Sequence, residues 1–197
     1  MTVPKFVAAM KKLGFSDVVE VAAGADICAI EEARDFLEKV PTEQRFMATS
    51  CCPSWRMMAR RLFPNESGNI SMTYTPMFYT ARLVKREKPE AKVVFVGPCA
   101  AKKLEAMQEE LRQDVDFVLT YEELMGIFEA KEIDFSSLPA SEPLAQATSA
   151  GRGFAQAGGV AAAVEEIIRR EHPDFEVKTQ RADGLRECRK LLMLAKA

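Results

Sequence analysis

Two stretches decide the fold of this chain, TSCCPSW (Thr49–Trp55) and GPCAAKKLE (Gly97–Glu105). Each follows a short apolar segment that predicts a strand, and each leads into a segment with helical periodicity. At such a junction in a parallel sheet, the loops lie at the carboxyl edge of the strands, where ligands usually bind. We therefore expect Cys51, Cys52 and Cys99 to lie together at one sheet edge.

The rest of the chain alternates between helical and strand patterns, which predicts an α/β fold of mainly parallel sheets flanked by helices. We expect at least four parallel strands, and a loop at 134–150 that joins two lobes. The predicted helices cover 3–13, 25–40, 53–63, 76–87, 102–112, a segment opened by the capping box of Thr120 and Glu123, 159–171 and 185–196. The predicted strands cover 17–21, 46–49, 93–96, 115–119 and 175–180.

The composition excludes several functional classes. A chain of 197 residues with 48% apolar and 28% charged residues can bury a core and is not disordered. Its net charge of −2 provides no basic surface for nucleic acid or an anionic membrane. Because no apolar run approaches the ~20 residues that span a bilayer, we expect a cytoplasmic protein.

The five cysteines favour a metal site over disulfides. An odd number of cysteines without a secretion signal argues against a disulfide framework, and the lack of C-x-x-C argues against a zinc knuckle. A purely structural role as buried cysteines stays open. A vicinal pair beside proline, together with a third cysteine in a matching loop, favours an iron–sulfur cluster assembled from distant segments.

The two motifs resemble the first and second signatures of iron-only (diiron) hydrogenases. Five further stretches are similar to that family, so the resemblance covers essentially the whole chain: FVAAMKKLGF (6–15), GADICAIEEA (24–33), RQDVDFVLTYEEL (112–124), AGRGFAQAGGVAAAVEEIIRR (150–170) and GLRECRKLL (184–192). The resemblance implies an iron-only hydrogenase-like fold with two intertwined lobes.

The resemblance also implies roles for individual residues. Cys52 and Cys99 would ligate a 4Fe–4S cluster, and Cys51 would pass protons to an adjacent diiron subcluster. The implied proton path continues through Asp35, Ser71 and Glu32. Lys102 would donate a hydrogen bond to a cyanide ligand of the diiron unit, and the pocket would include Pro76 and Phe154.

The sequence departs from the family pattern at several positions. Gly97, Met77 and Ala155 stand where the family has Met, Gln and Gly, which resembles sensory or divergent subgroups. The family's third motif, with two cysteines as C-x-x-x-C, does not occur. We therefore expect an incomplete domain that by itself binds no complete cluster and is inactive. Cys28 and Cys188 lie inside predicted helices and are interpreted as structural.

The leading hypothesis is part of a diiron hydrogenase catalytic domain that, in the complete protein, interconverts H2 with protons and electrons. The alternative is a non-enzymatic redox or hydrogen sensor, or a cluster-assembly protein, on the same fold. A dithiol oxidoreductase using Cys51 and Cys52 is a weaker third hypothesis. Expected partners are a ferredoxin-like electron donor or upstream Fe–S domains, but not nucleic acid or a membrane. Self-association through exposed core is also expected.

Overall fold

The computed structural model describes residues 2–196, with side chains as far as Ala195. Its helices are α1 (Val3–Lys12), α2 (Ala22–Lys39), α3 (Pro53–Leu62), α4 (Pro76–Glu87), α5 (Ala101–Ala106), α6 (Tyr121–Ala130), α7 (Ser149–Gly153), α8 (Gly159–Glu171) and α9 (Gly184–Lys196). A 3-10 helix covers Pro64–Asn69, and the strands are β1 (Val94–Gly97) and β2 (Phe117–Thr120). Within this part of the chain, no helix is both long and apolar enough to cross a membrane.

The chain divides into two compact units, each built from two separate stretches of sequence. The first unit contains the residues up to Glu20 together with Thr80–Gln146, and the second contains Val21–Tyr79 together with the residues from Ala147 onward. Each unit is therefore built from segments that are distant in sequence.

The first unit is organised around a short parallel sheet. β1 and β2 pair in register from Val94 opposite Phe117 to Gly97 opposite Thr120. The sheet passes directly into α6, whose first turn is closed by the predicted capping box between Thr120 and Glu123. Beside it, α1 and α6 share an apolar core of buried residues, listed here: Ala9, Met10, Leu124, Phe128 and Ile133.

A partly buried carboxylate, Asp116, lies at the start of both strands. Asp116 accepts the backbone N–H of Val93 at 2.8 Å and the ammonium groups of Lys85 at 3.0 Å and Lys92 at 2.9 Å. Burial alone would raise the pKa of Asp116, but these three donors lower it to about 2. Asp116 therefore remains ionised and ties α4 to the starts of both strands.

The second unit is helical, with α2 packed against α7 and α8. One apolar cluster joins Ala33 of α2 to Val164 and Ile168 of α8. At the contact with α7, Asp26 accepts the backbone N–H and the hydroxyl of Thr148 at 2.9 and 2.5 Å. A side chain at Gly151 would clash with the backbone carbonyl oxygen of Ala22, so only glycine permits this close approach.

The α/β class and most of the helices were predicted correctly, but the number of strands was wrong. In residues 2–196 the only strands are β1 and β2, rather than four or more. The segments 17–21 and 175–180 are not strands, and 46–49 contributes only an isolated bridge between Ala48 and Ile70. Val18 and Val177 pack instead against helical clusters without a hydrogen-bonded neighbour strand. Apolar β-branched residues can fill a core without a ladder, which explains the error.

Two helix boundaries also differ from the prediction. α2 begins at Ala22, three residues before the predicted start, and α5 ends at Ala106 rather than near 112. The residues after α5 form successive turns down to Asp114. Such end shifts are common, because helix termini are set by caps and tertiary contacts as much as by periodicity.

Candidate functional site

The TSCCPSW segment is a closed loop in the second unit. Cys52 is the N-cap of α3, and its sulfur accepts the backbone N–H of Trp55 at 3.5 Å, while Pro53 occupies the first helical position. The indole N–H of Trp55 reaches back to the carbonyl of Thr49 at 2.9 Å. Cys52 is exposed and Cys51 partly buried. This loop therefore presents an accessible sulfur atom at the start of a helix.

A fully buried carboxylate lies behind this loop. Glu32 of α2 has no exposed surface, and one of its oxygens accepts the backbone N–H of Ser50 at 3.4 Å. Burial raises the pKa of Glu32 to about 7, against the opposing effects of hydrogen bonds from the Ser50 backbone and the Ser71 side chain. The negative charge of Asp35 raises this pKa further. Glu32 can therefore hold or release a proton near neutral pH.

Three buried polar atoms of the second unit have no hydrogen-bond partner in the described structure: Glu32 Oε2, Ser50 Oγ and Thr75 Oγ1. Buried polar groups are normally satisfied, and exceptions concentrate where a site takes a further ligand or water. The hydroxyls of Ser71 and Thr73 lie 2.9 Å apart, which continues the polar chain from Glu32. Around Glu32 and Ser50, the interior behind the Cys51–Cys52 loop thus contains more polar atoms than its hydrogen bonds satisfy.

Asp35, the remaining member of the predicted proton path, lies one turn after Glu32 on α2 and forms an ion pair with Lys39. Its side chain is 16% exposed. Lys39 gives Asp35 a cationic partner, whereas the described residues place no cation beside Glu32. The structure therefore brings Glu32 and Ser71 into contact, and it links Asp35 to Glu32 through charge.

The GPCAAKKLE segment belongs to the first unit, where it follows β1. The backbone N–H of Lys102 donates to the carbonyl of Cys99 at 3.1 Å, which folds the cysteine loop onto α5. The ammonium of Lys102 lies 2.7 Å from Glu105, and their side chains are 13% and 2% exposed. A Cβ at Gly97 would meet the ring of Phe95 at 2.7 Å, so the Phe95 ring occupies the space that a larger residue would need.

The predicted pocket residues lie at helix ends of the second unit. Pro76 opens α4, and Phe154 caps the end of α7 and is partly buried. Met77, which follows Pro76, is 2% exposed and therefore belongs to the core. The methionine that replaces the family's Gln thus fills space instead of presenting a polar group.

The predicted site residues divide between the units. Cys99 and Lys102 lie in the first unit, and the others lie in the second: Glu32, Asp35, Cys51, Cys52, Ser71, Pro76 and Phe154. The prediction that all three cysteines follow strands at one sheet edge is wrong for Cys51 and Cys52, because the segment before Cys51 is not a sheet strand. The convergence of the three sulfurs stays a prediction.

Cys188 lies closer to the site than the sequence indicated. Burial raises its pKa, and the next cause is the charge of Cys52. One helical turn further along α9, Leu192 is buried against Ala59 of α3 in the cluster that also includes Trp55. The packing of α9 on α3 therefore brings Cys188 into the surroundings of Cys52, although periodicity indicated only a helix-interior cysteine.

Sequence reasoning missed three polar residues of these sites. Ser50 directly precedes Cys51, and Thr75 directly precedes Pro76, but a hydroxyl beside a motif residue gives no sign of burial. Glu105 follows Lys102 by three positions, which is the spacing of an ion pair within one helical turn. That spacing was visible in the motif, whereas the burial of the pair was not.

The donor set suits a soft metal cluster in part. Cys52 and Cys99 supply thiolates, the donors that iron–sulfur clusters use, each in a loop that opens a helix. Among the described residues, no group of three or more His, Cys, Asp or Glu side chains is arranged to hold a metal ion. Each motif therefore offers one thiol of the kind that iron–sulfur clusters use as a ligand.

Comparisons with known proteins identify the family to which this chain is similar. The family model of the iron-only hydrogenase large subunit, C-terminal domain, matches residues 1–197. The periplasmic [Fe] hydrogenase large subunit of Nitratidesulfovibrio vulgaris is 29% identical over 95% of this chain and 50% of its own length. The cytosolic Fe–S cluster assembly factor NAR1 of Yarrowia lipolytica is 30% identical over 85% of this chain and 40% of its own.

Among solved structures, a variant of the [FeFe]-hydrogenase HydA1 from Chlamydomonas reinhardtii aligns with a TM-score of 0.72 and 26% identity. The alignment covers 93% of this chain and 50% of that one. The chain thus spans half or less of the length of these relatives.

Proposed function

We propose that this chain, which belongs to the iron-only hydrogenase large-subunit family, forms the proton-handling and cluster-binding part of a domain that interconverts H2 with protons and electrons. The observation that carries the proposal is Glu32, a fully buried carboxylate with a pKa of about 7 beside the Cys51–Cys52 loop. A structural carboxylate gains nothing from such a position, because burial without a cation destabilises its charged form. A carboxylate that exchanges protons near neutral pH needs this environment.

Cys52 and Cys99 would hold a 4Fe–4S cluster through their thiolates, as the motifs imply. When bound, the cluster and its diiron subcluster supply the electrons and the site at which hydrogen reacts. Lys102 would meet an anionic ligand of the diiron subcluster, and Pro76 and Phe154 would exclude water from it. With two thiolates available, we expect this 197-residue chain by itself to hold less than a full complement of four irons.

The chain's own residues then handle the proton. Cys51 would exchange a proton at its sulfur, on the loop whose preceding residue, Ser50, donates its N–H to Glu32. Ser71 hydrogen-bonds Glu32 and lies beside Thr73, so hydroxyl groups extend the path. Asp35 would carry the proton along the same path, and its charge raises the pKa of the neighbouring Glu32.

Because the chain spans half or less of its relatives' length, the activity and partners of the whole protein belong to this proposal. A ferredoxin-like donor or Fe–S domains elsewhere in the protein would deliver electrons. A cytoplasmic location stays a prediction, since one relative is periplasmic and another cytosolic by name.

A second function, cluster assembly or sensing without turnover, is favoured by two observations. The relative NAR1 is named as a cytosolic Fe–S cluster assembly factor. In addition, Gly97 and the buried Met77 stand where the sequence motifs of hydrogenases carry other residues, and neither presents a polar group. Such a protein would keep its thiolates but would not need a titrating Glu32.

Hydrogen assays on the natural protein that contains this domain distinguish the two functions. If the protein is a hydrogenase, the anaerobically matured protein should evolve hydrogen from reduced viologen. Cys51→Ser should lose this activity but retain iron, whereas Cys52→Ser should lose both. A protein that retains four irons per cluster but neither evolves nor consumes hydrogen would contradict the proposal and support assembly or sensing.

A further inference from the structure

The residue that the motifs left without a role is Glu105. It lies on α5, one turn after Lys102, and its side chain is only 2% exposed. Its oxygen Oε2 lies 2.7 Å from the Lys102 ammonium, within the distance of a charge-assisted hydrogen bond. The pair begins three residues after Cys99, whose carbonyl accepts the Lys102 backbone N–H. The backbone of Lys102 is therefore tied to the cysteine loop, and its side chain is tied to Glu105.

The burial of this pair argues against a role in stability alone. Removing two charges from water costs more free energy than their attraction usually returns, and apolar residues of similar volume often stabilise a fold better. A lysine side chain is flexible and strongly hydrated, so without a partner it turns toward solvent. A buried carboxylate one turn away instead fixes where the ammonium lies.

The neighbouring pair on the same helix provides the contrast. Lys103 forms an ion pair with Glu123 of α6, but those side chains are 39% and 44% exposed. Exposed pairs of this kind contribute little and are screened by salt. Adjacent lysines of one short helix thus differ mainly in how far their carboxylate partners are withdrawn from water.

We propose that Glu105 is a positioning residue, which holds the Lys102 ammonium at a fixed place beside the Cys99 loop for an anionic ligand of the bound cluster. The placement of Lys102 by Glu105 concerns the chain alone, whereas the contact of Lys102 with the ligand rests on the proposed function. Separate experiments test the placement and the contact.

The first experiment measures how fast an amine-acylating reagent labels each lysine of the cluster-free chain, read by peptide mass spectrometry. In the native chain, about 1 M salt should speed the labelling of Lys103 and leave that of Lys102 unchanged, because a buried pair resists screening. Glu105→Gln should raise the labelling of Lys102 about fivefold, since the amine is released from its carboxylate. Glu123→Gln is the matched control and should leave Lys102 unchanged.

Equal salt responses of the two lysines in the native chain would overturn the proposal without any variant, even if Glu105→Gln failed to fold. Unchanged Lys102 labelling in a Glu105→Gln chain with native circular dichroism would overturn it equally. Glu105→Asp, which keeps the charge but shortens the side chain, should give an intermediate rate.

The second experiment records the infrared cyanide bands of the matured natural protein. Glu105→Gln should shift or broaden them, because Lys102 would no longer occupy one position, whereas Glu123→Gln should not. If the matured native protein shows no cyanide bands, the proposed function fails while the labelling result stands. If the native bands are present and Glu105→Gln leaves them unchanged, Lys102 does not depend on Glu105 in the loaded site.

Discussion

The pKa values of two carboxyl groups in this molecule are shifted in opposite directions, although each group accepts a hydrogen bond from a backbone N–H. In the second unit, Glu32 is fully buried, and burial raises its pKa to about 7. In the first unit, burial acts on Asp116 in the same direction, but Val93, Lys92 and Lys85 lower its pKa to about 2. Two lysine ammonium groups contact Asp116, whose side chain is 16% exposed, whereas Glu32 has no exposed surface and no such partner among the described residues.

This comparison separates a structural carboxylate from one suited to proton exchange. Asp116 remains charged at every physiological pH and acts as a fixed anchor for two lysines and a strand. With a pKa of about 7, Glu32 can be protonated or ionised at neutral pH. In the same unit, the hydroxyl groups of Ser50 and Thr75 have no hydrogen-bond partner in the described structure. To infer the function of a buried carboxylate, its burial must therefore be considered together with the charged groups that contact it.

The largest expected effect is on turnover. In the matured natural protein, Glu32→Gln should lower hydrogen evolution about 100-fold or more, because a buried proton-exchanging group contributes that much to catalysis. Iron content should be unchanged, since Glu32 is not a predicted ligand. Asp116→Asn provides the control, with activity expected within about twofold of native where the fold is retained. Full activity in Glu32→Gln would remove Glu32 from the proton path.

The second prediction concerns the pH dependence of stability. The folded-state pKa of Glu32 is raised, so between the unfolded value of 4.5 and about 7 the unfolded state binds fewer protons than the folded state. The free energy of unfolding should therefore fall as pH rises through this window, by up to about 3 kcal/mol, and then level off. Urea titrations of this chain at about pH 4.5, 6 and 7.5 measure it.

Glu32→Gln should flatten that part of the pH profile, because the amide does not ionise. The variant should consequently be at least as stable as the native chain above the folded-state pKa of about 7. A native profile that is already flat between 4.5 and about 7 would mean that Glu32 ionises in the folded state as readily as in the unfolded one.

Asp116→Asn should have a smaller effect of the opposite sign. Its lowered pKa means that Asp116 contributes stability above the unfolded value of 3.8, which is lost as pH falls toward 2. At neutral pH the substitution should cost about 1 kcal/mol, since an amide accepts the Val93 bond but attracts neither lysine. Thermal unfolding at about pH 7 and about pH 3 tests this, and equal losses at both pH values would contradict the electrostatic explanation.

The smallest effect is expected at an exposed carboxylate. Glu123 completes the capping box of α6 and pairs with Lys103, yet it is open to solvent. Glu123→Gln keeps the capping hydrogen bond and removes only a screened charge, so the midpoint of thermal unfolding should not change measurably. A clear loss of stability would show that exposed charges in this fold act more strongly than the comparison of Glu32 with Asp116 assumes.

The sequence by itself determined the local features of this protein. Pro53 at the start of α3, the capping box of α6 and the strand before GPCAAKKLE were predicted correctly, because each depends on residues within one turn or one strand. The two cysteine motifs also pointed to the family that the comparisons show.

Tertiary structure decided what depends on residues far apart in sequence. Segments 17–21, 46–49 and 175–180 carry strand patterns, but a strand forms only where a partner supplies the hydrogen bonds, and their apolar side chains pack against helices instead. Likewise, only packing buries Glu32 and Glu105, and only the contact of α9 with α3 brings Cys188 near Cys52. Residue identity sets which charges are available, whereas their distance from water and from one another sets what those charges do.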